Sequence, residues 1–362
     1  MKAKIFLVSL IAVSLLSGCI DHSSVEENAI IQMAGYDKGE NKRIRGTVSI
    51  PQYEGSGEGS PATEVYLTAS ADGVKEVEEE IQKQSSKPIS IGKLSVTLYS
   101  MELAEEGISD IIDILSRDPR ISRNMFLGIV DGDTKDVIES KPSSSQESTS
   151  SRHLKGLIDT NTQYNFPKTN LHRFLYSYYA EGMDPFLPII IPKDSTVELD
   201  GLAFFKGGAV VGTIPESKSF PFRMLKENFK RGMQKINFEG GTIMLDNIGS
   251  SVNYEMKGTV DDPEFDIKID LKAEVNEMVG INREATPALA KEIEKASVDF
   301  FEKNADELIQ MFKEKEIDPL GLGNFAKTRK RNFDLTKWKD NYSDLKVNVK
   351  INVEITEYGI FS

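Results

Sequence analysis

The sequence predicts an α+β protein with two to three mixed α/β domains in series, and three observations support this prediction. The chain has 362 residues, enough for more than one domain with its own core. Strand-like and helix-like periodicities alternate along the first third of the chain. Near the C-terminus, two long segments alternate apolar and polar residues, and a long amphipathic segment lies between them.

Strands and helices are predicted in alternation in the N-terminal part. Four strands are predicted there, at residues 43–52, 62–69, 94–100 and 125–130. Asp72 is expected to cap a helix that follows the second strand and carries apolar residues at helical spacing. A second helix is expected to bury Ile108, Ile111 and Leu115 and to end at Pro119.

The middle of the chain is predicted to connect two folded units. Residues 141–151 (KPSSSQESTSS) are rich in serine and poor in apolar residues, which is typical of an exposed linker. A helix is expected at residues 171–178, followed by an extended connector at residues 184–192. The predicted divisions are therefore a signal peptide at 1–18, an N-terminal α+β domain at 19–140, a linker and middle helical segment at 141–195, and a C-terminal α+β domain at 196–362.

The C-terminal part contains the clearest strand patterns. Gly207 and Gly208 separate two apolar segments and predict a hairpin at residues 202–213. Residues 265–275 and 347–355 alternate apolar with polar side chains, so each strand has one solvated face. We therefore predict an antiparallel or mixed sheet that is packed on one side only. The long helix expected at residues 287–315, capped by Thr286, would cover that side.

The N-terminus has the pattern of a bacterial lipoprotein signal. Lys2 and Lys4 precede an apolar segment at residues 5–16 that is too short to cross about 30 Å of hydrocarbon. Leu16, Ser17 and Gly18 then lead directly to Cys19, the only cysteine of the chain. This order resembles a lipobox, in which the cysteine thiol accepts diacylglycerol. The alternative is an ordinary secretory signal with an incidental cysteine nearby.

The composition argues against several classes of function. The net charge of −13 disfavours nucleic-acid binding, because phosphate backbones are repelled. One cysteine and three dispersed histidines provide no transition-metal site, and no cofactor is predicted. Asp131, Asp133 and Asp136 lack the acid that an EF-hand requires at its twelfth position, so an acidic helix N-terminus is favoured. No catalytic motif is present, and we predict no enzymatic activity.

One basic cluster stands out in this acidic chain. It consists of Lys327, Arg329, Lys330 and Arg331. The cluster is a candidate docking patch for anionic lipid or an acidic partner, and the alternative is a solvated loop. The nearby Trp338 is expected to be a core residue.

Motifs along nearly the whole mature chain resemble the Ger(x)C family, the lipoprotein C subunits of nutrient germinant receptors in endospore-forming bacteria. In order after the lipobox, the matching segments are Gly35–Asp37, Gly92–Leu94, Glu102–Ile108, Arg117–Arg120, Asp184–Pro185, Leu187–Pro188, Gly201–Lys206, Val211–Gly212, Ile317–Gly323 and Trp338. The order and spacing of these motifs carry the resemblance. It implies three α+β domains in series with no known active site.

The resemblance also implies a function and a location. The chain would be a non-enzymatic subunit of a germinant receptor, required for spore germination, beside a membrane-embedded A subunit and a transporter-like B subunit. Diacylglycerol on Cys19 would hold it on the outer face of the spore inner membrane. The alternative function is a solute-binding lipoprotein of an importer.

Overall fold

The fold is described here from a computed structural model, for residues 27–53, 62–140, 149–193, 196–259, 263–330 and 333–358. The predicted signal peptide, Cys19 and the lipobox residues Leu16, Ser17 and Gly18 lie outside the described residues, and so does Arg331. Among the helices of the described part, none combines the length and the apolar character needed to cross a bilayer.

The larger of two main sheets has eight strands and mixed pairing. Its strands, in spatial order, are β10 (Ala209–Pro215), β9 (Thr196–Lys206), β8 (Phe186–Lys193), β7 (Phe126–Val130), β6 (Val96–Ser100), β2 (Met33–Lys38), β3 (Ile44–Tyr53) and β4 (Ala62–Ala71). The four central strands are parallel, and an antiparallel hairpin flanks them on each side. A short parallel pair, β1 (Ala29–Ile30) and β5 (Ile89–Ser90), lies apart from this sheet.

Helices cover both faces of the eight-stranded sheet. The first face packs against α1 (Val74–Gln82), α2 (Met101–Glu106), α3 (Ser109–Arg117) and α6 (Leu171–Tyr179). The second face packs against α4 (Thr134–Glu139), α5 (Ser150–Asn161) and α7 (Ser219–Lys226). Because the central strands are buried on both faces, their apolar residues run almost continuously instead of alternating with polar ones.

The smaller sheet has four strands and is packed on one side, as predicted. Its strands, in spatial order, are β11 (Met233–Phe238), β12 (Gly241–Gly258), β13 (Pro263–Val279) and β14 (Lys346–Tyr358). The neighbours β13 and β14 run parallel, so the sheet is mixed. Buried and exposed residues alternate along β13. The inner face shares one apolar core with the second face of the larger sheet.

The long predicted helix is present as α8 (Pro287–Glu314), and two short helices follow it, α9 (Leu322–Arg329) and α10 (Leu335–Asn341). The Thr286 side chain accepts the backbone N–H of Leu289 and so caps α8 as expected. Phe301 and Phe312 on α8 are buried in this shared core, where the Phe301 ring packs on Phe220 and the Phe312 ring on Phe204 and Phe222. The predicted hairpin around Gly207 is also confirmed, as β9 and β10.

Three local predictions were wrong. Asp72 does not cap α1, because Gly73 holds the N-cap position and Asp72 binds Lys42 at 2.6 Å. The expected connector at 184–192 is mostly β8, whose apolar residues are buried on both faces of the sheet. Residues 141–148 of the expected linker lie outside the described residues, but residues 149–151 are buried, and Thr149 caps α5 by accepting the N–H of Arg152.

The predicted domain boundaries stay a prediction, but the sheets cross them. Strands from 19–140, from 141–195 and from 196–362 all belong to the eight-stranded sheet. Hydrogen bonds between β8 and β9 join residues on the two sides of the 195/196 boundary. The middle segment therefore adds a strand and helices to the larger sheet.

Candidate functional site

The sequence motif at residues 317–323 forms a tight turn around a buried carboxylate. Asp318 is 3% exposed, and its Oδ1 accepts the backbone N–H groups of Gly321 and Leu322 at 2.8 and 3.0 Å. Its Oδ2 accepts the N–H of Gly323 at 2.7 Å. These donors belong to the start of α9, where backbone N–H groups have no partner within the helix. Asp318 therefore fixes the position of α9.

A second motif, at Asp184, pairs with this turn. The backbone N–H of Asp318 donates to the Asp184 carboxylate at 2.7 Å, and the N–H of Asp184 donates to the Asp318 carbonyl at 2.9 Å. Burial raises the pKa of Asp318 to about 6 and also raises the pKa of Asp184. The two motifs thus connect the end of the α6 region to the C-terminal helices.

Glycines allow the two segments to approach closely. A Cβ on Gly323 would lie 2.6 Å from Nε1 of Trp338 and 2.8 Å from Cα of Gly182. Gly182 has φ of +71°, and its carbonyl accepts the N–H of Asn324 at 2.8 Å. Trp338 is 6% exposed, so it is a core residue as predicted.

A cavity of about 390 Å³ opens beside this turn, and we call it the junction pocket. Its walls come from α6, from the chain that precedes α6, from β8 and from the end of α7. Its ionisable lining residues are Lys168, His172, Arg173, Lys226 and Glu227. Its apolar walls are Phe174, Met183 and Phe186. Cavities of this size at the boundary of folded units are common small-molecule sites.

Lys226 and Glu227 at the end of α7 line the pocket, and Arg223, which lies outside the lining, forms an ion pair with Glu227. Lys226 donates to the carbonyls of Pro319 and Leu320 at 2.7 and 3.2 Å, and burial lowers its pKa to about 8. Arg223 is 1% exposed and donates to Glu227 at 2.9 Å. Burial lowers the pKa of Arg223, although Glu227 counteracts this effect. The pocket is therefore cationic next to an apolar wall.

Of the predicted basic cluster, the structure describes Lys327 and Arg329, which lie on α9, and Lys330, which follows directly after it. Lys327 forms an ion pair with Glu181 at 2.6 Å, and the Arg329 guanidinium stands 3.6 Å from the ring centroid of Phe325. Lys330 is the C-cap residue of α9. Lys327 and Arg329 are therefore exposed residues of a helix and not of the loop that was the alternative, and the docking patch stays a prediction.

Two tyrosines of α6 are exposed, Tyr176 beside α9 and Tyr179 with its hydroxyl donating to Ser116 of α3. Tyr176 and Tyr179 on α6 are 57% and 59% exposed. The Tyr176 hydroxyl accepts the side-chain amide of Asn324 at 3.2 Å, which brings α6 beside α9. We call the surface formed by Tyr176, Tyr179, Lys327 and Lys330 the α6–α9 surface. Tyrosine is enriched at protein interfaces and lysine is depleted, so the two exposed tyrosines are the interface signal of this surface.

The acidic segment at residues 131–136 performs a structural role. Asp133 is the N-cap residue of α4 and Asp136 lies in its first turn, as predicted. Asp133 also forms an ion pair with Arg45, which reaches the buried Asp37 at 3.3 Å. In the described part of the chain, histidine and acidic side chains form no cluster of three or more that could hold a metal ion.

Sequence reasoning missed the charged residues of the junction pocket. Arg223 and Lys226 occur within an otherwise apolar helix, SFPFRMLK. A cationic residue that is flanked in the sequence by buried apolar residues indicates that its charge is also buried and requires partners. The partners, Glu227 and the carbonyls near Asp318, could not be identified without the fold.

Comparison with known proteins gives consistent matches. Residues 21–192 match the family model described as spore germination protein N-terminal domain, and residues 200–359 match the one described as spore germination B3/GerAC like, C-terminal. The chain is 29% identical over 361 residues to spore germination protein GerQC of Bacillus cereus, covering 99% of both chains. It is also 23% identical over 208 residues to the putative spore germination protein YfkR of Bacillus subtilis (strain 168), covering 53% of each chain.

A solved structure shares the fold. The crystal structure of the GerBC protein superposes with a TM-score of 0.59 at 14% identity, covering 89% of this chain and 96% of that chain. The two family models together match most of the chain, and the motifs that meet at Asp184, Asp318 and Trp338 fall inside them. This chain is a member of the Ger(x)C family of spore germination proteins.

Proposed function

We propose that this chain is the lipid-anchored, non-enzymatic C subunit of a nutrient germinant receptor. It would assemble with the membrane-embedded A and B subunits and be required for spore germination. The observation that carries the proposal is the match to GerQC over 99% of both chains, because a match of that extent includes both family domains in order.

We further propose that diacylglycerol on Cys19 anchors the chain on the outer face of the spore inner membrane. Cys19 is the only cysteine, and it follows Leu16, Ser17 and Gly18 in lipobox order. Two acyl chains give stable anchoring, whereas one gives marginal binding. Glu27 lies eight residues after Cys19, so the N-terminal edge of the fold would lie within about 30 Å of the anchor.

The anchoring proposal is tested with a cysteine variant in spores. In Cys19→Ala the protein should leave the membrane fraction, and mass spectrometry should find no lipid on its N-terminus. Ser17→Ala is the matched control, because it keeps a small residue at that position and should remain lipidated. A Cys19→Ala protein that stays firmly membrane-bound would contradict the proposal.

The functional proposal is tested with a deletion strain from which paralogous receptors have been removed. Nutrient-triggered germination should be lost and should return when the wild-type chain is expressed. Normal germination with every nutrient would contradict the proposal.

We propose that the α6–α9 surface contacts the A or B subunit. Tyr179 and Lys330 supply exposed aromatic area and charge, and aromatic residues often carry a large share of binding energy. Tyr179→Ala with Lys330→Glu should reduce co-purification with a tagged A subunit at least tenfold. Tyr164→Ala, at a tyrosine that is 42% exposed on another part of the chain, is the control and should co-purify normally.

The second candidate is a solute-binding lipoprotein of an importer, and the junction pocket is the observation that favours it. The fold argues against this candidate. The eight-stranded sheet continues across the 195/196 boundary, whereas solute-binding proteins of importers close two lobes around a hinge. A deletion strain separates the candidates. An importer subunit would be needed for uptake of its solute and not for germination.

A further inference from the structure

We propose that the junction pocket binds a small organic carboxylate, whose charged group meets Lys226 and Arg173 and whose apolar body rests against Phe174 and Phe186. This proposal concerns a ligand of the chain itself and does not depend on assembly with other receptor subunits. It is based on the charges of the pocket, on the partners of each charge and on the apolar wall.

Lys226 is a half-buried cation without an ion pair among the described residues. Its Nζ donates to two backbone carbonyls, of Pro319 and Leu320, and no carboxylate oxygen of the described chain lies within 4 Å of it. An ammonium group removed from water is costly unless an opposite charge compensates it. Carbonyl dipoles provide part of that compensation, and an anion entering the pocket would provide the rest.

The carboxylates near Lys226 are already occupied. Glu227 accepts Nε of Arg223 at 2.9 Å and the backbone N–H of Lys168 at 3.3 Å, and its other oxygen lies 3.9 Å from Arg173. Asp318 accepts three backbone N–H groups at the start of α9. Both carboxylates favour the charged form of Lys226 through space, but neither lies within ion-pair distance of its Nζ, which donates to two carbonyls only and so has a further N–H for a ligand.

The charge balance of the pocket contrasts with that of the whole protein. Lys168, Arg173 and Lys226 are cationic, Glu227 is the single carboxylate of the lining, and the chain as a whole carries a net charge of −13. A concave site of one sign with apolar walls concentrates counter-ions. The pocket is therefore complementary to an anion, although the surface around it repels anions in general.

The pocket walls favour an organic anion over an inorganic one. Phe174 and Phe186 are 1% and 7% exposed and line the pocket together with Met183, while Tyr176, which also lines it, is 57% exposed. The volume of about 390 Å³ lies at the low end of the ~300–1,000 Å³ range of small-molecule sites. A ligand with an apolar body beside its carboxylate would cover apolar surface of the pocket that a phosphate ion leaves in contact with water.

Binding should weaken in alkaline solution. Burial lowers the pKa of Lys226 to about 8, Asp318 and Glu227 act to raise it, and Arg173 acts to lower it further. His172 and Lys168 also face the pocket, from α6 and from the chain before it. A carboxylate ligand keeps its charge above pH 7, so affinity should fall as Lys226 loses its proton around pH 8.

Calorimetry and ligand-observed NMR with the full chain in detergent would test the proposal. The probe is benzoate, and benzamide is its neutral isostere. Benzoate should bind saturably at pH 7, benzamide at least tenfold more weakly, and Lys226→Met and Arg173→Gln should each weaken benzoate binding at least tenfold. Lys327→Met, which removes a cation on α9 outside the pocket, should bind like wild type.

Four outcomes would overturn the proposal. These are equal binding of benzoate and benzamide, unchanged binding in both pocket variants, an equal loss in Lys327→Met, and inorganic phosphate that binds as tightly as benzoate. If Lys226→Met does not fold, Arg173→Gln decides, because the Arg173 side chain is 55% exposed and its replacement leaves the core intact.

Discussion

Asp184 and Asp318 lie 134 positions apart in the chain and hydrogen-bond to each other in both directions. The backbone N–H of Asp318 donates to the Asp184 carboxylate, and the N–H of Asp184 donates to the Asp318 carbonyl. The two family domains match residues 21–192 and 200–359, so this pair joins one domain to the other. The junction pocket lies against the same turn, so the hydrogen bonds between Asp184 and Asp318 help to hold the pocket in shape.

The first prediction concerns the pH dependence of stability at Asp318. Its folded pKa is about 6 and its ordinary value is 3.8, so the folded protein holds this proton up to a higher pH than the unfolded chain does. The stability contributed by the group is therefore full below pH 4 and is lost as the pH rises through 6. Asp318→Asn removes the titration. Relative to wild type, the variant should gain about 2 kcal/mol of unfolding free energy between pH 4.5 and pH 7.

Urea unfolding at four pH values in this range measures that difference. Asp299→Asn is the control, because this side chain is 65% exposed on α8. The difference in unfolding free energy between this variant and wild type should not change with pH. A flat difference for Asp318→Asn as well would show that the carboxyl is ionised normally in the folded protein.

The second prediction concerns the close approach at Gly323. Gly323→Ala would place a Cβ 2.6 Å from Nε1 of Trp338, so the tryptophan or α9 must move. We expect a loss of about 1–3 kcal/mol in unfolding free energy. The emission of Trp338, the only tryptophan, should shift as well. Gly249→Ala is the matched control, since nothing lies within 4 Å of its Cβ position, and it should leave both measurements unchanged.

The third prediction concerns the buried bond between Thr134 and Asp37. The Thr134 hydroxyl donates to Asp37 at 2.7 Å and attaches α4 to β2. Thr134→Val keeps the shape and leaves a buried carboxyl oxygen without this donor, which should cost about 1–3 kcal/mol in denaturant unfolding. Thr213→Val, at an exposed position of β10, should change stability by less than about 0.5 kcal/mol.

The fourth prediction concerns the outer edge of β14. Glu294 and Glu302 on α8 accept the backbone N–H groups of Ile355 and Ile351 at 3.1 and 3.5 Å, so the helix covers part of this edge. An uncovered strand edge invites pairing with another chain. Glu294→Ala with Glu302→Ala should therefore self-associate more strongly in sedimentation velocity. Asp299→Ala on the same helix should not, and a monomeric double variant would show that the edge is protected by other means.

Much of the secondary structure could be predicted because the relevant signals are local. Alternation along β13 and β14 predicted a sheet with one solvated face, and Thr286 predicted the start of α8, because each signal depends on neighbours in the chain. The error at β8 has the same origin. A strand buried on both faces lacks alternation, and its prolines favoured a connector.

The candidate site could be predicted only in part. Motifs at Asp184, Ile317–Gly323 and Trp338 were identified in the sequence, but their convergence requires contacts across more than a hundred positions. Lys226 was not identified, because a lysine becomes distinctive only when burial removes its water and leaves it without a carboxylate partner.

The sequence by itself predicted a lipobox around Cys19 and determined the class of the fold and the family, because these depend on residue order and local periodicity. Only the tertiary structure decided which strands are neighbours, that the middle segment joins the larger sheet, and that the junction pocket is cationic. These features depend on distances through space between residues far apart in the chain. Burial and charge pairing, which determine the energies of such contacts, exist only after the chain has folded.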